Sequence, residues 1–272
     1  MRLSHRFAAA FLASTLLSAE ASAELLIAPT RVVLEKGERS AELVLVNRST
    51  EEAAYRISLE NRRMLENGAL EDATEAREGE LFADGIVRYA PRRLALEPGG
   101  RQTVRVSAST AGLEPGEYRS HLRVMAAPTS AGRRLDAAVD DAPGDGISID
   151  LIAIRSLTIP VIVRVGELDA EVSLERAGLG ASPEQSTLVA RLRRTGERSV
   201  YGDLQVYSDN AEEPVLTARG IAIYTPNTER DVVLPIPADL QQRLRGQRVR
   251  LAYVSSDPEA PGVIAETITI LN

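Results

Sequence analysis

Cysteine is absent from this chain of 272 residues. That excludes disulfides, thiolate nucleophiles and cysteine-ligated zinc, so stability must come from packing. Tryptophan is absent too, and aromatic residues make up 4% of the chain, which leaves little for stacking against sugars or bases. Histidine occurs twice, as His5 and His121, and neither sits in a His/Asp/Glu pattern with metal-ligand spacing. No G-x-S-x-G elbow and no phosphate-binding glycine loop is present. Neighbouring acids such as Glu78 with Glu80, or Asp140 with Asp141, read as solvated loop residues rather than catalytic pairs. The sequence therefore points to no enzyme, cofactor or metal site. A formal net charge of −7 argues against general binding to nucleic-acid backbones.

The first residues have the pattern of a secretory signal. Arg2 and Arg6 give the positive start, Phe7 to Leu17 a short apolar core, and Ala21-Ser22-Ala23 a small-x-small cleavage site. Residues 1–23 are thus expected to be removed, and no later segment is long and apolar enough to read as a membrane-spanning helix.

What the rest of the chain has in abundance is period two. Leu25 to Leu34 opens the series, followed by Ala41–Val46 and Tyr55–Glu60. Residues 61–84 are polar and glutamate-rich, with a turn at Asn67-Gly68. Short strands are expected at Ile86–Tyr89 and Leu94–Leu96, then at Val104–Val106 and Tyr118–Met125, set off by turns at Pro98-Gly99-Gly100 and Pro115-Gly116. Residues 127–146 have loop composition, and Gly166 marks a hinge. Further strands are expected near 168–175, 187–193, 200–207, 215–224, 230–234, 248–254 and 263–270. Helix-like character is confined to Ala238–Leu244, behind Pro237. Two units of about seven short strands predict an all-β chain of two β-sandwich domains, residues 24–165 and 166–272.

Residues 147–163, ISIDLIAIRSLTIPVIV, stand apart. They are aliphatic and β-branched, with Asp150 and Arg155 the charges among them. Such a strand either lies buried within a sheet or offers an apolar edge to another protein. Pro160 cannot donate to a ladder, which suits an edge.

Three stretches of the first unit carry a resemblance: Ala28-Pro29-Thr30-Arg31-Val32-Val33-Leu34; Tyr89 to Val106, with its Leu-Glu-Pro-Gly-Gly turn before Arg105; and Gly116 to Val124, followed by the loop and the strand ending Ile159-Pro160-Val161-Ile162-Val163-Arg164. In these the chain resembles the periplasmic pilus-assembly chaperones of the chaperone–usher type. The resemblance implies two immunoglobulin-like domains set in an L, a periplasmic location, and no catalysis. It implies an incomplete immunoglobulin-like pilus subunit as client and an outer-membrane usher as further partner. The chaperone lends a strand that completes the subunit's sheet. By position, Arg31 is the arginine that anchors the client's C-terminal carboxylate, and Ile149, Leu151 and Ala153 fill the client's groove. A one-residue slip would present Ile152 and Ile154 instead. The family's anchoring lysine falls on Pro160, so the clamp departs from the pattern, with Arg155 a candidate replacement. Glu117 and Arg164 match two members of an interdomain ionic cluster. The alternative is a non-catalytic structural or adhesive immunoglobulin-like envelope protein without a client.

Overall fold

The computed structural model describes residues 25–127, 156–181, 185–208, 211–257 and 260–272. In chain order the first strands are β1 (Leu25–Ala28), β2 (Val32–Leu34), β3 (Ser40–Asn47), β4 (Ala53–Glu60), β5 (Arg62–Met64) and β6 (Leu70–Asp72). Next come β7 (Val87–Ala90), β8 (Arg93–Leu96), β9 (Arg101–Ala108), β10 (Gly116–Ala126) and β11 (Ser156–Val165). The chain continues with β12 (Ala170–Ala181), β13 (Ser186–Gly196), β14 (Val200–Ser208), β15 (Leu216–Ile223) and β16 (Glu229–Pro235). A short helix, α1 (Ala238–Leu244), precedes β17 (Arg248–Ser255) and β18 (Val263–Ile270).

Apart from β5 and β6, the strands up to β11 build one sandwich. A four-stranded sheet, β1-β3-β9-β7, faces a five-stranded sheet, β2-β11-β10-β4-β8. Alternation dictates which side chains meet between them. Leu43 and Leu45 of β3 and Val104 and Val106 of β9 point inward from one sheet. They meet Ile57 of β4, Leu122 and Val124 of β10, and Ile159, Val161 and Val163 of β11. Fully burying one such aliphatic side chain stabilises by about 1.5–3 kcal/mol, so this stripe is the main source of stability in a chain without disulfides. Buried Asn47 fixes the β3–β4 turn by donating from Nδ2 to the carbonyls of Glu51 and Leu96, both at 2.8 Å.

The strands from β12 onward build a second sandwich, β12-β13-β16 against β15-β14-β17-β18. Its core includes Leu188, Leu192, Leu204, Val206, Leu251 and Tyr253. The helix expected behind Pro237 forms over Ala238–Leu244, and Leu240 and Leu244 plug it into this core. Gly166 joins the two units with φ +87°, and a Cβ there would stand 3.0 Å from the Cβ of Pro115, so the link favours glycine twice over.

Three sequence expectations change. The polar stretch 61–84 contains a hairpin, β5–β6, around the Asn67-Gly68 turn, because Met64 and Leu70 give it an apolar face that packs at the domain junction. Glu80 is not a solvated loop residue. It is buried, accepting from Arg63 Nε at 2.5 Å, Arg63 Nη2 at 2.6 Å and the Arg77 N–H at 2.8 Å. Burial opposes its ionisation, but the hydrogen bonds from Arg63 and Arg77 outweigh that and hold its carboxyl below the usual range. Finally, β11 is an edge along only part of its length. It pairs with β10 throughout, while β2 runs parallel beside Val161–Val163 alone.

Candidate functional site

The outward face of β10 and β11 is where the two units meet. Alternation sends Val161 and Val163 to the core and turns Pro160, Ile162 and Arg164 the other way. Their cross-strand partners on β10 are His121, Arg119 and Glu117, in that order.

Glu117 and Arg164 form the inner end of this row. Arg164 Nε donates to Glu117 Oε2 at 3.0 Å, and Arg164 also donates to Glu35. The second unit closes the pair: the Ser199 N–H donates to Glu117 Oε2 at 3.0 Å, Ser199 Oγ to Glu117 Oε1, and Thr225 Oγ1 to the same oxygen at 3.3 Å. Arg164 Nη2 reaches the Ser199 carbonyl at 3.3 Å. The Glu117 side chain is 0% exposed and that of Arg164 6%. A buried ion pair is stable only when its remaining hydrogen-bonding capacity is met, and here residues of both units meet it.

Ile162 forms the apolar middle, packed with Met64, Ala222 and Tyr224. Arg119 lies over the Tyr224 ring at 4.3 Å and donates from Nη1 to the Arg62 carbonyl at 3.0 Å. Tyr224 packs edge-on against Tyr201, ring centres 5.5 Å apart, and His121 meets Tyr224 edge-on at 6.1 Å. His121 is buried, and among the described residues neither ring nitrogen has a hydrogen-bond partner. Burial first, then the positive charges of Arg119 and Arg62, push its pKa down to about 3, so the ring is neutral.

Arg31 stands at the outer end. The β2–β11 ladder stops at Val32–Val161, which leaves Arg31 and Pro160 as the next residue on each strand. The Arg31 guanidinium lies over the Tyr201 ring at 4.4 Å, and its Nη2 donates to Ser256 O at 3.0 Å and Ser256 Oγ at 2.9 Å. Among the described residues nothing accepts from its Nε or Nη1. Arg31 lines an open cleft of about 670 Å³ between the units, together with Arg164, Arg198, Tyr201 and Ser256 among others. A half-engaged guanidinium at an open cleft suits an incoming carboxylate.

Of the residues singled out from sequence, Arg31, Glu117 and Arg164 lie on this one junction. Ile149, Leu151, Ala153, Ile152, Ile154 and Arg155 lie outside the described residues. Tyr201, Tyr224, Ser199 and Ser256 were not read as site residues from sequence, because nothing local records that they meet the first unit. The available signal was scarcity: the chain has seven tyrosines, and two of them gather here. Among the described residues, no group of three or more His, Asp or Glu could hold a metal ion.

No family model matches the chain, and no curated protein matches it. Several solved structures are similar in shape at low identity. A chain of the CsuC–CsuE chaperone–tip adhesion subunit pre-assembly complex, from the archaic chaperone-usher Csu pili of Acinetobacter baumannii, is 12% identical with a TM-score of 0.48, covering 89% of this chain and 97% of that one. The CupB2 chaperone of Pseudomonas aeruginosa is 12% identical with a TM-score of 0.46, covering 91% and 100%. The E. coli chaperone DraB is 16% identical with a TM-score of 0.42, covering 91% and 96%.

Proposed function

We propose that this chain is a periplasmic chaperone that binds, stabilises and delivers pilus or surface-fibre subunits by donor-strand complementation. The observation that carries the reading is the half-open strand β11. Ser156–Pro160 pair with β10 on one side, and on the other side no described strand accompanies them until β2 begins at Val32. Ile149, Leu151 and Ala153 are an even number of positions from Ile159, Val161 and Val163, whose side chains point into the core. An unbroken alternation would set the two groups on one face, in line with a donated apolar stripe. Arg31, one residue beyond the ladder, is the anchor for the client's terminal carboxylate.

In this reading residues 1–23 are an export signal, and the domains run 24–165 and 166–272. Both are immunoglobulin-like and set in an L around the cleft. The Glu117–Arg164 cluster holds their angle. The client is an immunoglobulin-like subunit lacking its last strand, and an outer-membrane usher receives it. The work is folding and transfer, without covalent chemistry or cofactor.

Co-expression with the products of neighbouring genes tests the reading. A strand-deficient β-sandwich protein should co-purify in a one-to-one complex. Leu151→Asp should abolish that complex while far-ultraviolet circular dichroism stays unchanged. If Leu151→Asp and Ile149→Asp leave complex formation intact, the strand is not what the client binds; if no complex forms with the wild-type protein, or if the substitutions unfold it, the strand belongs to this chain's own core. A structural or adhesive envelope role then takes over.

A further inference from the structure

We propose that β18, the last strand of the second unit, is an interaction surface for a second copy of this chain, the two strands pairing antiparallel about a two-fold axis at Ile268. β18 closes the sheet β15-β14-β17-β18. It pairs with β17 on one side, and among the described residues no strand hydrogen-bonds to the other. Alternation sends Leu271 into the core and turns Glu266, Ile268 and Ile270 outward. Of the four large apolar side chains more than half exposed among the described residues, three lie on this strand: Val263 at 55%, Ile268 at 54% and Ile270 at 56%. Single exposed apolar residues are ordinary, but a row of them along one strand marks a contact.

The other free edges of this unit are guarded. β16 opens on Glu229, Arg230 and Asp231 and ends in Pro235. β12 bulges between Leu174 and Arg176. β15 carries Arg219 and Gly220 at a break in its register with β14. Such devices stop one edge from pairing with another. β18 has its own irregularity near Val263, but from Ala265 to Ile270 its ladder with β17 runs unbroken, with no proline, glycine or basic residue.

The backbone offers the matching groups. The Leu271 N–H donates to Gln247 O at 3.2 Å and its carbonyl accepts from the Gly246 N–H at 2.7 Å, so Leu271 spends both groups on the β17 side. Alternation then turns the N–H and C=O of Glu266, Ile268 and Ile270 to the free side. β12 runs past β18 at the edge of the facing sheet, and its hydrogen bond to this end, Leu179 N–H to Asn272 O at 3.4 Å, falls beyond the strand.

Two copies are self-complementary in this register. With Ile268 opposite the partner's Ile268, Glu266 stands opposite the partner's Ile270, whose neighbour on β17 is Arg248. Arg248 is exposed and has no hydrogen bond or ion pair among the described residues. The pairing sets isoleucine on isoleucine and brings a carboxylate towards each unpaired arginine. A two-fold axis closes the contact at two copies. β11 and β18 belong to different sheets of different units, so a client on one and a copy on the other take separate surfaces.

The chain has no cysteine, so a single introduced thiol is a clean reporter. Directly opposed residues of a hydrogen-bonded antiparallel pair have Cα atoms about 5.5 Å apart, within disulfide reach. Under copper-phenanthroline oxidation, Ile268→Cys should run as a covalent dimer on non-reducing gels. Thr267→Cys, which lies opposite the partner's Thr269 rather than its own copy, should stay monomeric. In sedimentation velocity the wild-type protein should shift from monomer to dimer as its concentration rises from about 1 to about 100 μM. Ile268→Lys, which sets two like charges face to face, should weaken the dimer at least about tenfold with circular dichroism unchanged. A wild-type protein that stays monomeric across that range, a dimer that Ile268→Lys leaves intact, or equal crosslinking through Thr267→Cys and Ile268→Cys would overturn the proposal. If Ile268→Lys unfolds the protein, the crosslinking pattern decides.

Discussion

The junction between the two units has a sealed seam and an open cleft, lined in part by the same residues. In the seam, Glu117 receives hydrogen bonds from Arg164, Ser199 and Thr225, and its side chain is 0% exposed. In the cleft, Arg31 leaves Nε and Nη1 without an acceptor, and the Arg198 side chain has no hydrogen-bond or ion-pair partner, among the described residues. Both places use arginine, and only the seam supplies it with carboxylates. The contrast separates two purposes. A saturated buried pair specifies one arrangement of the units, whereas an arginine with unused donors at a cleft suits an incoming anion.

The seam gives the largest expected effect. Glu117→Ala removes the carboxylate and strands Arg164 and Ser199, which should lower stability by about 3–5 kcal/mol in a urea titration. A loss below about 1 kcal/mol would mean that the seam contributes no more than a surface pair.

His121 gives the next. Its folded-state pKa of about 3 lies below the usual histidine value, so the unfolded chain takes up the proton first. Stability from keeping the ring neutral is complete above about pH 6.5 and is lost as pH falls towards 3. The slope of this contribution should approach about 1.4 kcal/mol per pH unit. The charged groups around the ring are Arg119 and Arg62, with Glu60 opposite on β4. His121→Gln should flatten the profile between pH 6 and 4 relative to wild type, and equal slopes would refute the assignment.

The cleft should respond least. Arg198→Ala should change stability by no more than about 0.5 kcal/mol, and Arg31→Ala, which loses two bonds to Ser256 and the ring contact, by about 1 kcal/mol. A larger loss in either would place that residue in the seam's category.

Much of the strand pattern was legible because alternation is local. Leu43, Leu45, Val104 and Val106 announce an inward face within a few residues, and Pro237 announces α1. The junction was legible only where a short motif carried it, as with Arg31 in Ala-Pro-Thr-Arg-Val-Val. Ser199 and Glu117 are 82 positions apart, and Arg31 and Ser256 are 225 apart. Periodicity does not record which distant residues meet. The β5–β6 hairpin was hidden for a related reason. Its burial comes from packing against Ile162 and Tyr224, while its own composition is polar. Glu80 looked solvated because its partner, Arg63, lies across that same hairpin region.

Amide hydrogen exchange on the protein with and without its co-purified client reads the strand donation directly. Binding should slow exchange in the segment 149–160, including Ser156–Ile159, whose outer side has no described strand, and should leave Val161–Val163, already beside β2, unchanged. Equal exchange across 149–160 in the free and bound protein would contradict the account.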